Sequence, residues 1–361
     1  MHPFFDKILD KTWYRLTRAL GNLLRLYHPR NLRERGLSWA VTTLAVTMVL
    51  VMMVLSWYWS REPAMFDVRQ ATIALLKDKN ATPVTGQYST ATLITVAETL
   101  LNKPGGYLSN DVAPPTVFLD NMPNWEFGAL VQVRDFAKAL RNDMSRSQSQ
   151  SLEDPDLAEA EPHFNFANDS WLFPPSEYEY RKGIKNLRHY FYRLGTSGKD
   201  GAQFYARADN LQDWLAVVNK RLGSLALRLS ASVGTARVNT NLAGDTAAQQ
   251  SSTEPQTILV KTPWTKIDDV FYEARGSTWA LIHLLKAVDI DFAGVLKKKN
   301  AQVSLKQIIR ELEATQEPVW SPMILNGSGF GIVTNHSLVM ASYISRANAA
   351  LIDLRNLLQQ G

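Results

Sequence analysis

The stretch "LQDWLAVVNKRLGSLALRL", Leu211–Leu229, decides the fold class. Its residues Leu211, Leu215, Val218, Leu222, Leu225 and Leu229 recur at alternating steps of four and three. Those steps put all six on one narrow stripe, the seam through which helices pack in bundles and coiled coils. A mainly α, bundle-like domain is the expectation that follows.

The same periodicity recurs on both sides of that stretch. Upstream lie Leu93, Val96 and Leu100, then Leu130, Val133, Ala137, Leu140 and Met144, then Ile184, Leu187, Phe191 and Leu194. Downstream lie Ile267, Val270, Ala274, Leu281, Leu285 and Val288, and the chain ends on Ile344, Leu351, Leu354 and Leu358. "SEYE" at Ser176–Glu179 and "SLKQ" at Ser304–Gln307 have the pattern of capping boxes, and "TKID" at Thr265–Asp268 is a weaker version. Val303 and Ile308 stand where a hydrophobic staple would form. Strand signals are confined to "QTILVK" near Gln256–Lys261 and "GFGIVT" near Gly329–Thr334, which are expected to pair as a small hairpin.

Two low-complexity breaks interrupt the helical pattern, "SRSQSQS" at Ser145–Ser151 and a polar run from Val233 to Gln256. The second has little to bury and reads as a loop. The expected order is a helical half over residues 64–232, a flexible loop over 233–256, and a second helical half over 257–361 packed on the first.

Ahead of these lies "LSWAVTTLAVTMVLVMMVLSWYW", Leu37–Trp59, with no charged residue. At about 1.5 Å per residue it is long enough to cross a hydrocarbon core of roughly 30 Å. Trp39 at one end and Trp57, Tyr58 and Trp59 at the other stand where interfacial aromatics belong. Residues 1–36 carry eight bases and three acids. That excess before the span puts the N-terminus in the cytoplasm and the remainder outside it, in the periplasm of a Gram-negative cell. The run is too long, the basic region before it is too extended and no A-x-A site follows, so it reads as a signal anchor rather than a cleaved signal peptide. Within residues 1–36, Phe5, Leu9, Trp13, Leu16, Leu20, Leu23 and Tyr27 form an apolar stripe. Lys7, Lys11, Arg15, Arg18 and Arg25 lie largely off it, as in a basic amphipathic helix on an anionic leaflet. Docking on a protein partner is the alternative for that helix.

The formal charge of +5 is accounted for by residues 1–36, because the rest has 31 bases and 31 acids. The large domain therefore lacks the cationic surplus that nucleic-acid binding requires. The absence of cysteine excludes disulfides, thiolate metal sites and thiol catalysis. His163, His189, His283 and His336 have no histidine partner at metal-ligand spacing. The cluster Glu161, His163 and Asp169 is close in sequence but reads as structural. No nucleophile elbow, phosphate loop or S-x-x-K motif is present, and "NGSGFG" at Asn326–Gly331 reads as a turn that lets backbone approach another element. No metal or cofactor is implied.

One segment is dense in chemistry-bearing residues: "LSNDVAPPTVFLDNMPNWEFGAL", Leu108–Leu130. Asp120 and Glu126 beside Trp125 have the composition of a glycan site, where paired acids work next to stacking aromatics. A second cluster, "SWLFPPSEYEY" at Ser170–Tyr180, supplies Trp171 and Tyr178 as further groove residues. Helix entry explains much of the same composition. Pro123 suits a first turn, Asn121 or Asn124 a cap, and Glu126 the positive helix end.

The basic N-terminus, the single span, and the phrases "GGYLSND", "LDNMPNWEFGAL", "RSQSQS" and "SEYEYRKGI" together resemble an uncharacterised family of Gram-negative single-pass inner-membrane proteins, domain of unknown function 2333. The resemblance implies a bacterial envelope protein and assigns no catalytic residue. The leading expectation is a membrane-anchored periplasmic interaction or scaffold protein without catalysis, engaging an envelope protein partner. A glycan-acting enzyme using Glu126 with Asp120 or Asp169 is the alternative, and a lipid-handling protein is a third. Ser38 and Thr42 offer a small-xxx-small face, and the Leu211–Leu229 seam serves equally within one chain, so homo-oligomerisation stays open.

Overall fold

In the computed structural model, helix α1, Pro29–Trp59, bends at Gly36, whose φ of 82° and ψ of 167° are not helical. Glycine takes that φ without the steric cost a side chain would bring. From Gly36 to Trp59 the helix is 24 residues long and apolar enough to cross a membrane, and its most apolar window is buried nowhere among the described residues. It begins one residue before the expected span. Thr42, Thr43 and Thr47 donate to carbonyls one turn back, at 2.9, 2.9 and 2.8 Å. Their hydroxyls are thus satisfied inside the helix. The structure describes residues 18, 21, 29–76, 78, 81–147, 151–196, 198, 200–238, 257–321 and 323–360. The expected amphipathic helix, with Trp13 and Arg15, lies outside the described residues except for Arg18 and Gly21, both helical, with Arg18 exposed.

The chain divides into two compact units, Met1–Trp59 and Ser60–Gly361. The second unit, among the described residues, contains α2 (Val68–Leu75), α3 (Gln87–Asn102), α4 (Asn121–Ala139), α5 (Pro155–Phe164), α6 (Ser176–Leu194) and α7 (Ala208–Ser230). After a two-stranded ribbon come α8 (Ile267–Asp291), α9 (Ala293–Lys298), α10 (Gln302–Glu313) and α11 (His336–Gln359). All six residues of the Leu211–Leu229 stripe are buried, as are Leu93, Val96 and Leu100 and the stripe from Leu130 to Met144.

The most extensive pairings are α4 with α8 and α7 with α11. Each joins a helix before residue 233 to one after 256. Helices from before and after the polar run therefore interleave in the second unit. α4 and α8 approach closely where two glycines leave room for backbone. A Cβ on Gly276 would fall 1.8 Å from the Trp125 carbonyl oxygen, and one on Gly128 would fall 2.0 Å from that of Glu273. Gln132 adds a hydrogen bond to Ser277 across the same crossing, at 2.9 Å.

Local signals fared less well than periodicity. The ribbon pairs β1 (Thr235–Val238) with β2 (Thr257–Val260) in antiparallel register, Thr235 opposite Val260. The expected partner near Gly329–Thr334 is not a strand, and four residues of the expected 233–256 loop are. The ribbon closes locally across residues 239–256, and sequence neighbours are the cheaper pairing. None of the capping boxes forms. The Ser176 hydroxyl donates to the Ala167 and Ser170 carbonyls, and Glu179 engages His163 and Lys182. α10 starts at Gln302, so Ser304 lies inside the helix, and Val303 is exposed rather than stapled to Ile308. α8 starts at Ile267 with no side-chain cap, so Thr265 lies in the preceding turn.

An extended segment leads into this unit along α8. Arg275 holds Glu62 in a two-pronged ion pair, at 2.8 and 2.6 Å, and donates to the carbonyls of Thr315 and Glu317. Eight residues further along α8, His283 Nε2 accepts from the Phe66 N–H at 3.0 Å, and the two rings stack with centroids 3.8 Å apart. Four extended residues cover about 13 Å and eight helical ones about 12 Å, so Glu62–Phe66 runs level with α8 and in the same direction.

Candidate functional site

The acid at the centre of the dense segment is not at the surface. α4 turns Met122, Trp125, Glu126 and Ala129 inward, spaced three and four residues apart on one face. Glu126 has no exposed area. Lys103, one residue past the end of α3, reaches it at 2.6 Å. Glu126 also accepts from the backbone N–H groups of Leu108 and Ser109, each at 2.9 Å, and from the Ser109 hydroxyl at 2.5 Å. Burial pushes the Glu126 carboxyl up and the Lys103 ammonium down, and each ion holds the other against that shift. The expected role of Glu126 at the positive helix end is thereby corrected: its carboxylate faces the Gly105–Ser109 turn, not the free N–H groups of α4. Asp120 precedes α4 without a side-chain cap, and Asn124 donates to the Asp120 carbonyl instead of capping. Trp125 is buried against Trp279, with ring centroids 5.1 Å apart.

The turn that Glu126 grips carries a surface loop, residues 107–120, and that loop is tied to a second one, residues 165–175. The Tyr107 hydroxyl donates to the Asn168 carbonyl at 3.1 Å, and its ring meets Tyr180 edge-on at 5.6 Å. Asn110 donates to the Ser170 carbonyl at 2.8 Å and to the Glu177 carboxylate at 2.7 Å. Arg134 fixes the start of the second loop by donating to the carbonyls of Phe164 and Phe166. Asp111 lies beside Glu177, and partial burial followed by that neighbouring acid raises its carboxyl.

From this cross-tied base, apolar side chains point outward. Val112, Val117 and Phe118 stand exposed on the first loop, and Trp171, Leu172 and Phe173 on the second. Phe173 is 89% exposed, and its φ of 36° is one that a bulky residue rarely adopts. A phenylalanine held in water on a disfavoured backbone is a feature expected of functional loops rather than of packing.

Of the five expected groove residues, Trp171 and Tyr178 are exposed on or beside the second loop, and Asp120 is exposed at the entry to α4. Trp125 and Glu126 lie in the core and line no groove. Asp169 is exposed, but Glu126 is sealed behind the loop, so the two are not presented to one sugar. Sequence reasoning missed Lys103, Ser109 and Asn110. Their signal was "KPGGYLSN", in which Gly105 and Gly106, with φ of 86° and 74°, wrap the chain around the Glu126 carboxylate.

Among the described residues no three His or acidic side chains cluster as metal ligands. His163 pairs with Glu179 at 2.7 Å, not with Glu161 or Asp169. In "NGSGFG", a Cβ on Gly327 would fall 1.7 Å from the Val333 carbonyl oxygen, so that glycine allows the expected close backbone approach.

No curated protein and no solved structure matches the chain. A family model described as "Uncharacterized protein conserved in bacteria (DUF2333)" matches residues 32–361, a span that takes in most of α1 and the whole helical unit. With so much of its length matched, the chain belongs to the DUF2333 family of uncharacterized proteins conserved in bacteria.

Proposed function

We propose that this is a non-enzymatic interaction protein of the bacterial envelope, anchored in the inner membrane by α1, with its N-terminus cytoplasmic and its helical unit periplasmic. The anchor is supported by the uncharged 24-residue helix, and its direction by the eight bases before it. The observation that carries the interaction role is the pair of cross-tied loops holding Phe118, Trp171, Leu172 and Phe173 in water. Rigid aromatic groups already in place lose little entropy on binding, which favours them as anchors for a protein partner. A glycan-cleaving role for Glu126 with Asp120 or Asp169 is disfavoured by the ion pair that encloses Glu126.

Site-specific photo-crosslinking tests the reading. A photoreactive phenylalanine at Phe118 or Phe173 of the full chain, in intact cells, is expected to give the same discrete adduct. The same group at Leu152, which is exposed but on neither loop, is expected to give none. Equal labelling at all three sites, or at none, would count against a partner surface here. Protease added to spheroplasts is expected to digest the helical unit, and full protection would overturn the topology.

A further inference from the structure

A second apolar surface lies in the segment between α10 and α11. Trp320 and Met323 are exposed there, and Phe330 and Ile332 are fully exposed. The tip bearing Phe330 and Ile332 is a closed loop. Leu325 N–H donates to His336 Nδ1 and His336 N–H to the Leu325 carbonyl, both at 3.0 Å, and Gly327 N–H donates to the Thr334 carbonyl at 3.2 Å. Asn335 stiffens it further by donating to the Gly327 carbonyl at 2.7 Å while capping α11. These side chains are thus displayed by an ordered turn.

The position of this loop along α8 gives the occupant. Met323 shares a recess with Trp264 and Ile267, at the start of α8, and Trp320 lines a cavity of about 340 Å³ with Phe271 and Arg275. Arg275 also holds Glu62, and Phe66 lies eight α8 residues further on, at His283. Traced backward, the incoming chain therefore runs toward the start of α8. Trp59 precedes Glu62 by three residues, a reach of at most about 10 Å, or about seven residues of helix rise. That reach tethers the last residue of α1 near Arg275, whose cavity is also lined by Trp320 and by His336 at the base of the loop bearing Phe330 and Ile332.

We propose that this end of the helical unit rests on the phospholipid bilayer that α1 spans. Phe330 and Ile332 insert among the acyl chains where the span emerges, and Trp264 and Trp320 sit at headgroup level, where indole rings partition. The inference rests on the reading of α1 as a membrane anchor. A lipid surface is favoured over a protein here because a tether of three residues keeps this end at the membrane.

The absence of cysteine from the chain makes the test direct. Full-length Phe330→Cys, Ile332→Cys and, as a control at the far end beyond α8, Lys298→Cys each carry one nitrobenzoxadiazole label. All three positions are exposed, so the fold is retained. The proteins are reconstituted into phosphatidylethanolamine–phosphatidylglycerol vesicles with or without doxyl-labelled lipid. Carbonate extraction comes first: a chain that washes off refutes both the anchor and this proposal. For an integral chain, lipid quenching at 330 and 332 is expected to exceed that at 298 by about twofold or more, as for side chains below the headgroups. Equal quenching at all three overturns the proposal and leaves the anchor standing. Labels that stay water-exposed in vesicles but become shielded in native membranes also overturn it, and assign the loop to a protein partner.

Discussion

Acidification should loosen the helical unit through one buried histidine. His283 donates from Nδ1 to the Trp279 carbonyl at 2.7 Å and accepts the Phe66 N–H at Nε2, so the ring is neutral in the native state. Burial pushes it down from 6.5 to about 4, with the Trp279 hydrogen bond opposing and Lys286 adding to the shift. A histidine with a depressed folded value contributes stability that is fully present above pH 6.5 and is lost as pH falls toward 4, because the unfolded chain takes up the proton first. With those two values the loss is about 2 kcal/mol at pH 5 and about 3 kcal/mol at pH 4. Urea unfolding of the detergent-solubilised full chain, followed by near-ultraviolet circular dichroism between pH 7.5 and 4, measures it. His283→Gln keeps a polar side chain but does not titrate. It is expected to be less stable than wild type at pH 7.5 and to have a flatter pH profile, the difference in slope amounting to about 3 kcal/mol over the range. Parallel profiles for the two proteins would refute the assignment of the titration to His283.

Three further outcomes follow from the packing. Glu126→Gln strands the Lys103 ammonium in the core and is expected to cost about 3–5 kcal/mol, read as a fall in the urea midpoint, whereas Asp169→Asn at the surface should change it little. Gly276→Val drives a side chain into the Trp125 carbonyl and is expected to cost about 3 kcal/mol or to abolish folding, while Gly294→Ala, with open space around it, is expected to be tolerated. Arg275→Lys loses the two-pronged grip on Glu62 and the two carbonyls of the 315–317 turn. It is expected to lower the thermal midpoint and to increase proteolytic cutting in residues 317–334, and unchanged cutting would show that the turn is held by other contacts.

What was legible in the chain was what repeats. The 3.6-residue rhythm of Leu211–Leu229 reports a single buried face, and every member of that stripe is buried. The long apolar helix was legible because length and absence of charge are local properties. The caps were not, because a hydroxyl such as that of Ser176 has several acceptors in reach and took two carbonyls of the preceding loop. Glu126 was misplaced for a related reason. Its partner Lys103 lies at the end of a different helix, and a pairing made through the core leaves no trace in the rhythm of either segment. The strand at Thr257–Val260 was recognisable by composition, but its partner Thr235–Val238 sits in a polar run with no apolar alternation to mark it.

The interleaving of helices across residue 233 bears on how the molecule is made. Asn219 on α7 hydrogen-bonds Asn348 on α11 at 2.8 Å, across 129 residues of chain. The leucine ridge of α7 therefore gains its main cover only once α11 has been synthesised. Until then the nascent chain presents a greasy helix that invites chaperones and proteases. A message truncated before α11 would leave that ridge without its main partner and expose the product to degradation.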